Sequence, residues 1–139
     1  MRQADYSRDG FHLRLGLQQD QCRILAELMR EADFYLEYVT AVDRFDHLEL
    51  IYVFGQYGEH LRIQAIARVA KGEKTPSISP IFPSAAWHER EVYDFFGQIF
   101  TDHPDLKHIL LPEDADYHPL LKDFKAPLRL NGERGPVRS

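Results

Sequence analysis

Residues 87–96 concentrate the side chains that could perform chemistry, because they include His88, Glu89 and Glu91. Paired carboxylates beside a histidine can act as general acid and base or can bind a metal ion. The segment fits a helix, in which successive residues are about 100° apart around the axis. Glu89 and Glu91 then lie about 200° apart and cannot converge on one substrate or ion. The spacing therefore favours a structural or partner-binding role.

Glu89 shares one stripe of this helix with Ala85, Val92 and Phe96, so a carboxylate lies inside a face that is otherwise apolar. Burial of a carboxylate without a hydrogen-bonding partner is costly. We therefore predict that Glu89 pairs with an arginine or with backbone N–H groups, either in this chain or on a neighbouring one. Another face of the helix carries Trp87, Glu91 and Asp94.

Three of the seven histidines, His103, His108 and His118, lie in the C-terminal segment and could bind zinc if the chain folded them together. Their spacing matches no metal motif, which favours hydrogen bonding to the backbone or to a partner. The single cysteine, Cys22, cannot supply the four thiolates that an iron–sulfur cluster usually takes, and its apolar helical neighbours indicate an inert core residue. The sequence contains neither a glycine-rich phosphate loop nor a Gly-x-Ser-x-Gly elbow.

The composition of the 139 residues, with 44% hydrophobic and 28% charged side chains, is typical of one globular domain with a real core. The net charge of −5 argues against nucleic acid as a partner. No apolar run approaches the length that spans a bilayer, and Met1–Gly10 is too polar for a signal peptide. We therefore expect a cytosolic chain.

The segments before residues 87–96 alternate between strand and helix patterns. Apolar residues at every second position predict a strand over Phe11–Leu17, and Asp20 is the expected cap of a following helix. The residues of that helix expected to face a sheet are Ile24, Leu25, Leu28 and Met29. Three further strands are predicted at 35–42, 48–54 and 61–69, with a hairpin loop at 43–46.

Ser84 is the expected cap of the second helix, which should end at Gly97, because glycine best suits the left-handed residue after a helix. The order strand, helix, three strands, helix predicts an α+β fold in which two helices pack on an antiparallel sheet. The division expected is an α+β domain over residues 1–100 and an extended, irregular C-terminal tail over residues 101–139.

This tail holds five prolines and shows no helical or strand period, yet it carries apolar residues between the prolines. Irregular segments longer than about 15 residues are uncommon in compact domains and are usually functional or disordered. Two interpretations are open: the tail wraps its own domain, or it wraps a partner and becomes ordered on binding. We favour the partner.

The second helix and the tail contain closely spaced motifs, among them Glu89-Arg90-Glu91, Asp94-Phe95-Phe96 and His103 followed by Lys107. Together they resemble the signature of the C subunit of the proton-translocating NADH:quinone oxidoreductase, respiratory complex I, and the resemblance extends from about Phe11 to Pro127. The residues that carry the family motif, and that the resemblance implies contact partner subunits, are Trp87, Glu89, Arg90, Glu91, Tyr93, Asp94, Gly97, His103, Pro104, Leu106, Lys107, Leu110, Pro112, His118, Pro119, Lys122, Asp123 and Phe124.

The resemblance implies a structural subunit of the peripheral arm, on the cytoplasmic side of the inner membrane. It would support the subunits that form the quinone site and hold the terminal iron–sulfur cluster. The chain would be a subunit of an enzyme complex, but would have no catalytic, cofactor-binding or metal-binding residues of its own. FMN, iron–sulfur clusters and quinone are expected in the partner subunits.

Three other functions remain open. Membrane-bound hydrogenases, formate hydrogenlyases and deazaflavin-dependent dehydrogenases contain subunits with the same motif, and the identity of the neighbouring subunits separates them from complex I. A small metal-dependent enzyme could use His88, His103, His108 or His118 with carboxylates. A soluble assembly factor would visit the complex without remaining in it.

Overall fold

The computed structural model describes residues 2–3, 11–58, 60–107, 110–111, 114–115 and 117–121. The strands are β1 (Arg2–Gln3), β2 (Leu13–Gln18), β3 (Phe34–Asp43), β4 (His47–Gln56), β5 (Arg62–Ala70), β6 (Thr75–Pro76) and β7 (Phe100–Thr101). The helices are α1 (Cys22–Glu31), preceded by a 3-10 turn over Gln19–Gln21, and α2 (Ala85–Phe96).

The main sheet has five strands in the order β1-β2-β5-β4-β3. Strands β3, β4 and β5 form the predicted antiparallel meander, whereas β2 runs parallel to β5, with Leu13 opposite Ile63 and Gln18 opposite Arg68. The predicted fold class, α+β with two helices on a mostly antiparallel sheet, is confirmed. The parallel pair is the departure, because alternation reveals which face of a strand is buried but not which strand lies beside it.

The core lies between one face of the sheet and the two helices. Strand β5 contributes Ile63, Ala65, Ala67 and Val69, all buried as the alternating pattern predicts. The largest fully buried aromatic side chains are those of Tyr52 and Phe54 in β4. The other buried members of this core include Leu36, Val39, Ala41, Leu50, Ala85 and Val92.

The start of α1 differs from the prediction. Asp20 lies within the 3-10 turn rather than at the helix cap, so its assignment as the cap was wrong. Gln21 occupies the cap position of α1, and its side-chain Oε1 accepts a hydrogen bond of 2.9 Å from the backbone N–H of Gln18. One extra turn of tighter helix therefore precedes α1, and helix-start signals in sequence do not separate the two types.

The buried face of α1 is also rotated from the predicted one. Cys22, Leu25 and Ala26 are buried, whereas Ile24 and Leu28 are 60% and 57% exposed. The prediction that Ile24 and Leu28 pack on the sheet was therefore wrong. The face of α1 that packs on the sheet is centred on Cys22, Leu25 and Ala26, and Ile24 and Leu28 lie on the opposite side of the helix.

Helix α2 has the predicted boundaries. Ser84 occupies the residue before its first turn, although the described chain shows no capping hydrogen bond from the Ser84 side chain. Gly97 adopts the left-handed conformation, with φ of 76°, and donates its N–H to the carbonyl of Tyr93 at 2.9 Å. Within the described residues, neither helix has the length and apolar character needed to cross a membrane.

Candidate partner-binding site

Glu89 is completely buried on α2, and its carboxylate is satisfied from within the chain. The hydroxyl of Ser77 donates to Oε1 at 2.6 Å, and the backbone N–H of Ile78 donates to Oε2 at 3.0 Å. The prediction that Glu89 pairs with an arginine or with backbone donors is confirmed for the backbone donor. The segment that follows β6 is thereby tied to the middle of α2.

Burial raises the pKa of Glu89 to about 7 from its ordinary value of 4.5. The hydrogen bonds from Ser77 and Ile78 and the positive charge of Arg23 act in the opposite direction, but they do not cancel the cost of burying the charge. The carboxyl group is therefore partly protonated near neutral pH, and its protonation changes with small changes in pH around that value.

His103 holds the beginning of the tail against α2. Its side chain is buried, and Nε2 lies 3.0 Å from the carbonyl oxygen of Ala86 and 3.9 Å from Oε1 of Glu89. The backbone N–H of Asp105 donates to Nδ1 at 2.9 Å. These partners assign a neutral imidazole with its proton on Nε2, because Nδ1 must accept and Nε2 must donate. His103 is thus a structural link between the tail and α2.

Two of the C-terminal carbonyl groups of α2 accept hydrogen bonds from the tail. A helix leaves its last carbonyls without partners in the helix, so other donors must supply the hydrogen bonds. Nδ1 of His118 donates to the carbonyl of Asp94 at 3.0 Å, and the N–H of Leu120 donates to the carbonyl of Phe95 at 2.9 Å. The buried Asp94 side chain accepts from the N–H of Leu110 at 2.8 Å.

Described parts of the tail therefore lie on their own domain. The His118 ring approaches Gly97 so closely that a Cβ at residue 97 would lie 2.9 Å from Cδ2 of that ring. Tyr93 meets the same ring edge-on, with 6.2 Å between centroids. That the tail extends and wraps a partner stays a prediction, because residues 122–139 lie outside the described chain.

Three apolar residues of α2 and the tail are exposed, Trp87, Leu110 and Leu120, and we define them as the outer patch. The Trp87 indole is 60% exposed, and the guanidinium of Arg90 lies 5.0 Å from its ring centroid. Arg90 Nε also donates to the carbonyl of Lys107 at 3.3 Å. Trp87 is therefore held by its neighbours while one face remains open to solvent, which is typical of residues that anchor interfaces.

The remaining motif residues occupy several environments. Leu106 packs partly buried against the core, while Glu91, Pro104 and Lys107 are exposed and Pro119 is half-buried. Four residues of the predicted site lie outside the described chain: Pro112, Lys122, Asp123 and Phe124.

Arg23 is a site residue that the sequence interpretation missed. The helical pattern did not include it among the residues that face the sheet, yet its guanidinium donates two hydrogen bonds to the carbonyl of Ser77, at 3.0 and 3.3 Å. It also faces the carboxylate of Asp102 at 3.6 Å. Local periodicity carries no signal for such a contact between segments that are 54 residues apart.

The structure separates most groups that could bind a metal. In the described parts of the chain, no three His, Cys, Asp or Glu side chains gather as a metal site. Ring nitrogens of His103 and His118 bond to helix carbonyls instead, and His108 lies outside those parts. A separate surface depression is lined by Gly16, Ile66 and other residues that do not belong to the motif.

Cys22 is buried beside Tyr52, and burial raises the pKa of its thiol to about 11. Because the thiolate is the reactive species, we expect Cys22 in the folded chain at pH 8 to react at least about 100-fold more slowly with a disulfide reagent than an exposed thiol. The reaction is followed by absorbance, with the chain unfolded in denaturant as control. Equal rates in the folded and unfolded chain would contradict an inert core role.

Comparison with known proteins gives the family directly. The family model described as "Respiratory-chain NADH dehydrogenase, 30 Kd subunit" matches residues 15–129. The chain belongs to this family. Its match includes all seven of the elements from α1 to β7, together with the described part of the tail. The resemblance seen in the sequence motifs is thereby confirmed.

Three curated relatives illustrate the likeness. The C subunit of NADH-quinone oxidoreductase from Rhodobacter capsulatus is 40% identical over 89 residues, covering 62% of this chain and 45% of that protein. Its counterpart in Chloroherpeton thalassium is 34% identical over 124 residues, covering 84% and 52%. The mitochondrial 30.4 kDa subunit of NADH-ubiquinone oxidoreductase from Neurospora crassa is 40% identical over 89 residues, covering 62% and 31%. The matches therefore span about half or less of the relatives' length.

A solved structure of the membrane-bound sulfane sulfur reductase, an archaeal respiratory membrane complex, contains a chain with the same fold. The TM-score is 0.73 at 25% sequence identity, and the superposition covers 81% of this chain and 71% of that one. The fold is thus shared with a respiratory membrane complex outside the NADH-quinone oxidoreductases.

Proposed function

We propose that this chain is a cofactor-free structural subunit of the peripheral arm of a proton-translocating NADH:quinone oxidoreductase, on the cytoplasmic side of the membrane. It supports the subunits that form the quinone site and hold the terminal iron–sulfur cluster. FMN, the iron–sulfur clusters and quinone belong to those partner subunits, and the chain's association with the membrane is indirect.

The capped end of α2 is the observation that carries this proposal. Two acidic residues of the motif stabilise the fold: Glu89 accepts hydrogen bonds from the Ser77 hydroxyl and the Ile78 N–H, and Asp94 accepts one from the Leu110 N–H of the tail. The same motif leaves the aromatic and aliphatic outer patch exposed, together with Glu91, Pro104 and Lys107. Buried motif residues that stabilise the fold, beside exposed apolar residues that a partner can contact, support a scaffold role.

The experiment that tests the proposal is purification of the tagged chain from its native host after gentle extraction of the membranes. Mass spectrometry then identifies the proteins that remain bound in stoichiometric amount. Flavin- and NADH-binding subunits together with quinone-site subunits support the proposal. No stable partner, or a stoichiometric and chelator-sensitive metal in the purified chain, would overturn it.

The same role in a related membrane complex is the second candidate, favoured by the structural match to the sulfane sulfur reductase. The same purification separates the two. Hydrogenase-like or reductase-like subunits in place of flavin- and NADH-binding ones would move the chain to that branch.

Replacing Trp87 by alanine should weaken the association without unfolding the chain, because the indole is 60% exposed. Aromatic anchors of interfaces cost about 2 kcal/mol or more when truncated, so the fraction of chain that remains bound should fall by at least about tenfold. The measurement is the amount of tagged chain retained with the complex. Phe45→Ala is the matched control, since Phe45 is 73% exposed in the loop between β3 and β4. Equal retention of both variants would contradict the assignment.

A further inference from the structure

The solvent side of α1 carries an apolar pair outside the motif. Ile24 and Leu28 lie one helical turn apart and are 60% and 57% exposed. The opposite side of the same helix is already used, because Cys22, Leu25 and Ala26 are buried against the sheet. A surface helix normally has one apolar face. A second apolar face on a helix of ten residues marks a surface that another molecule can cover.

Acidic residues predominate around this pair, although Arg30 is also exposed and lines a surface depression with Glu27 and Glu31. Asp20, Glu27 and Glu31 are exposed beside Ile24 and Leu28. The arginines of α1 are instead turned toward the chain's own backbone: a guanidinium N–H of Arg30 donates to the carbonyl of Ile81 at 3.1 Å, and Arg23 binds the carbonyl of Ser77. The surface is therefore an apolar ridge with an acidic border. We define these five residues, Asp20, Ile24, Glu27, Leu28 and Glu31, as the α1 ridge.

We propose that the α1 ridge binds another subunit of the same complex, through an apolar surface on that subunit that is bordered by lysine or arginine. Charge complementarity selects this occupant. A second copy of the ridge would place like charges opposite one another, and a bilayer surface rich in anionic lipids would repel the carboxylates. The inference rests on the proposed function and adds a second contact surface, separate in sequence from the outer patch.

The first test replaces both apolar residues by glutamine in the tagged chain of the assembled complex. Glutamine is a good helix former, and both positions are more than half exposed, so the helix should persist. We expect Ile24→Gln with Leu28→Gln to lower retention of the chain by about tenfold, while Phe45→Gln retains wild-type binding. Unchanged retention of the double variant would overturn the proposal.

A second variant tests the charges without changing the apolar pair. Retention of the wild-type chain should fall as the salt concentration rises, because exposed charge pairs are screened. Glu27→Gln with Glu31→Gln should bind less at low salt and should show a flatter dependence on salt. A salt dependence identical to that of the wild-type chain would contradict the basic border of the partner.

A photo-crosslinking residue at position 28 identifies the occupant. A cross-link from the assembled complex to a different subunit, at a peptide with apolar residues flanked by lysine or arginine, supports the proposal. A cross-link to a second copy, to lipid or to none of the subunits would overturn it. If the tagged chain still co-purifies with the complex in that case, the proposed function stands and only the α1 ridge fails.

Discussion

Replacing Glu89 by alanine is expected to lower the free energy of unfolding of the full chain by about 3 kcal/mol at pH 4.5. The change leaves the buried N–H of Ile78 without its acceptor, forces the Ser77 hydroxyl to turn from Glu89 to Ser79, and opens a cavity. Chemical denaturation of the chain measures this loss. In the native host the same variant should assemble poorly, and normal assembly would contradict a structural role for Glu89.

Glu89→Gln is the matched control, since it keeps the shape of the side chain and removes the charge. Its amide oxygen can accept from the Ile78 N–H, and its amide nitrogen can donate to Oγ of Ser77 if that hydroxyl turns toward Ser79. Oγ of Ser79 lies 2.8 Å from Oγ of Ser77, so such a turn keeps both hydroxyls bonded. We therefore expect a loss of less than about 1 kcal/mol at pH 4.5.

The wild-type chain and Glu89→Gln share every titrating group except Glu89. The pH dependence of the difference between their free energies of unfolding therefore reports on Glu89 alone. Burial raises the pKa of Glu89 from 4.5 to about 7, so the folded wild-type chain binds one proton more than the unfolded chain between these values. The stability that this proton contributes is complete below pH 4.5 and is lost as the pH rises to about 7. The wild-type chain should therefore lose about 3 kcal/mol relative to Glu89→Gln across this range.

Thermal or chemical unfolding of both proteins between pH 4 and 8 provides the measurement. The groups that face Glu89 are Arg23, His103, Cys22 and Tyr52. A difference that does not change with pH would show that the folded chain leaves the pKa of Glu89 at its ordinary value, and one that grows in the opposite direction would show that it lowers this pKa; either result would contradict the raised pKa.

Replacing Gly97 by alanine is expected to have the second large effect, a loss of about 2 kcal/mol or more. An alanine in the left-handed conformation costs about 1 kcal/mol relative to glycine. The added Cβ would also lie 2.9 Å from Cδ2 and 3.0 Å from Nε2 of His118, so the ring must move. Its hydrogen bond to the carbonyl of Asp94 would then be lost. Unfolding gives the total effect, and hydrogen exchange of the Leu120 amide reports on the tail directly.

Gly72→Ala separates the two causes. Gly72 also has a positive φ, of 90°, but a Cβ there would meet no atom within 4 Å. Its substitution should therefore show the backbone cost alone. Gly97→Ala should lose additional stability only when His118 is present. In a chain that already carries His118→Ala, Gly97→Ala should cost no more than Gly72→Ala, because the clash is then absent. Equal losses for the two glycine variants, with normal amide protection at Leu120, would contradict the close packing of His118.

Much of the architecture was predictable from local patterns. The alternation in β5 and the apolar stripe of α2 depend only on neighbours in the chain, and so does the glycine that ends α2. The buried position of Glu89 followed from the same stripe. The family was also accessible, because its motif lies in a short span of α2 and the tail, and the comparisons confirm it.

Asp94 shows where local reasoning ends. The helical pattern placed it on the face with Trp87 and Glu91, away from the core, yet it is completely buried. The tail covers it and supplies the N–H of Leu110. The periodicity of a helix depends only on the residues of that helix. It therefore cannot predict that an irregular segment elsewhere in the chain buries one of them.

The sequence by itself determined the α+β class, the meander of β3 to β5, the extent of α2 and the family, because each depends on residue spacing over a few turns or strands. Tertiary structure decided the parallel pairing of β2 with β5, the rotation of α1 that exposes Ile24 and Leu28, and the capping of α2 by the tail. These features are contacts between distant segments. Their energies come from packing and hydrogen-bond geometry that exist only after the segments meet.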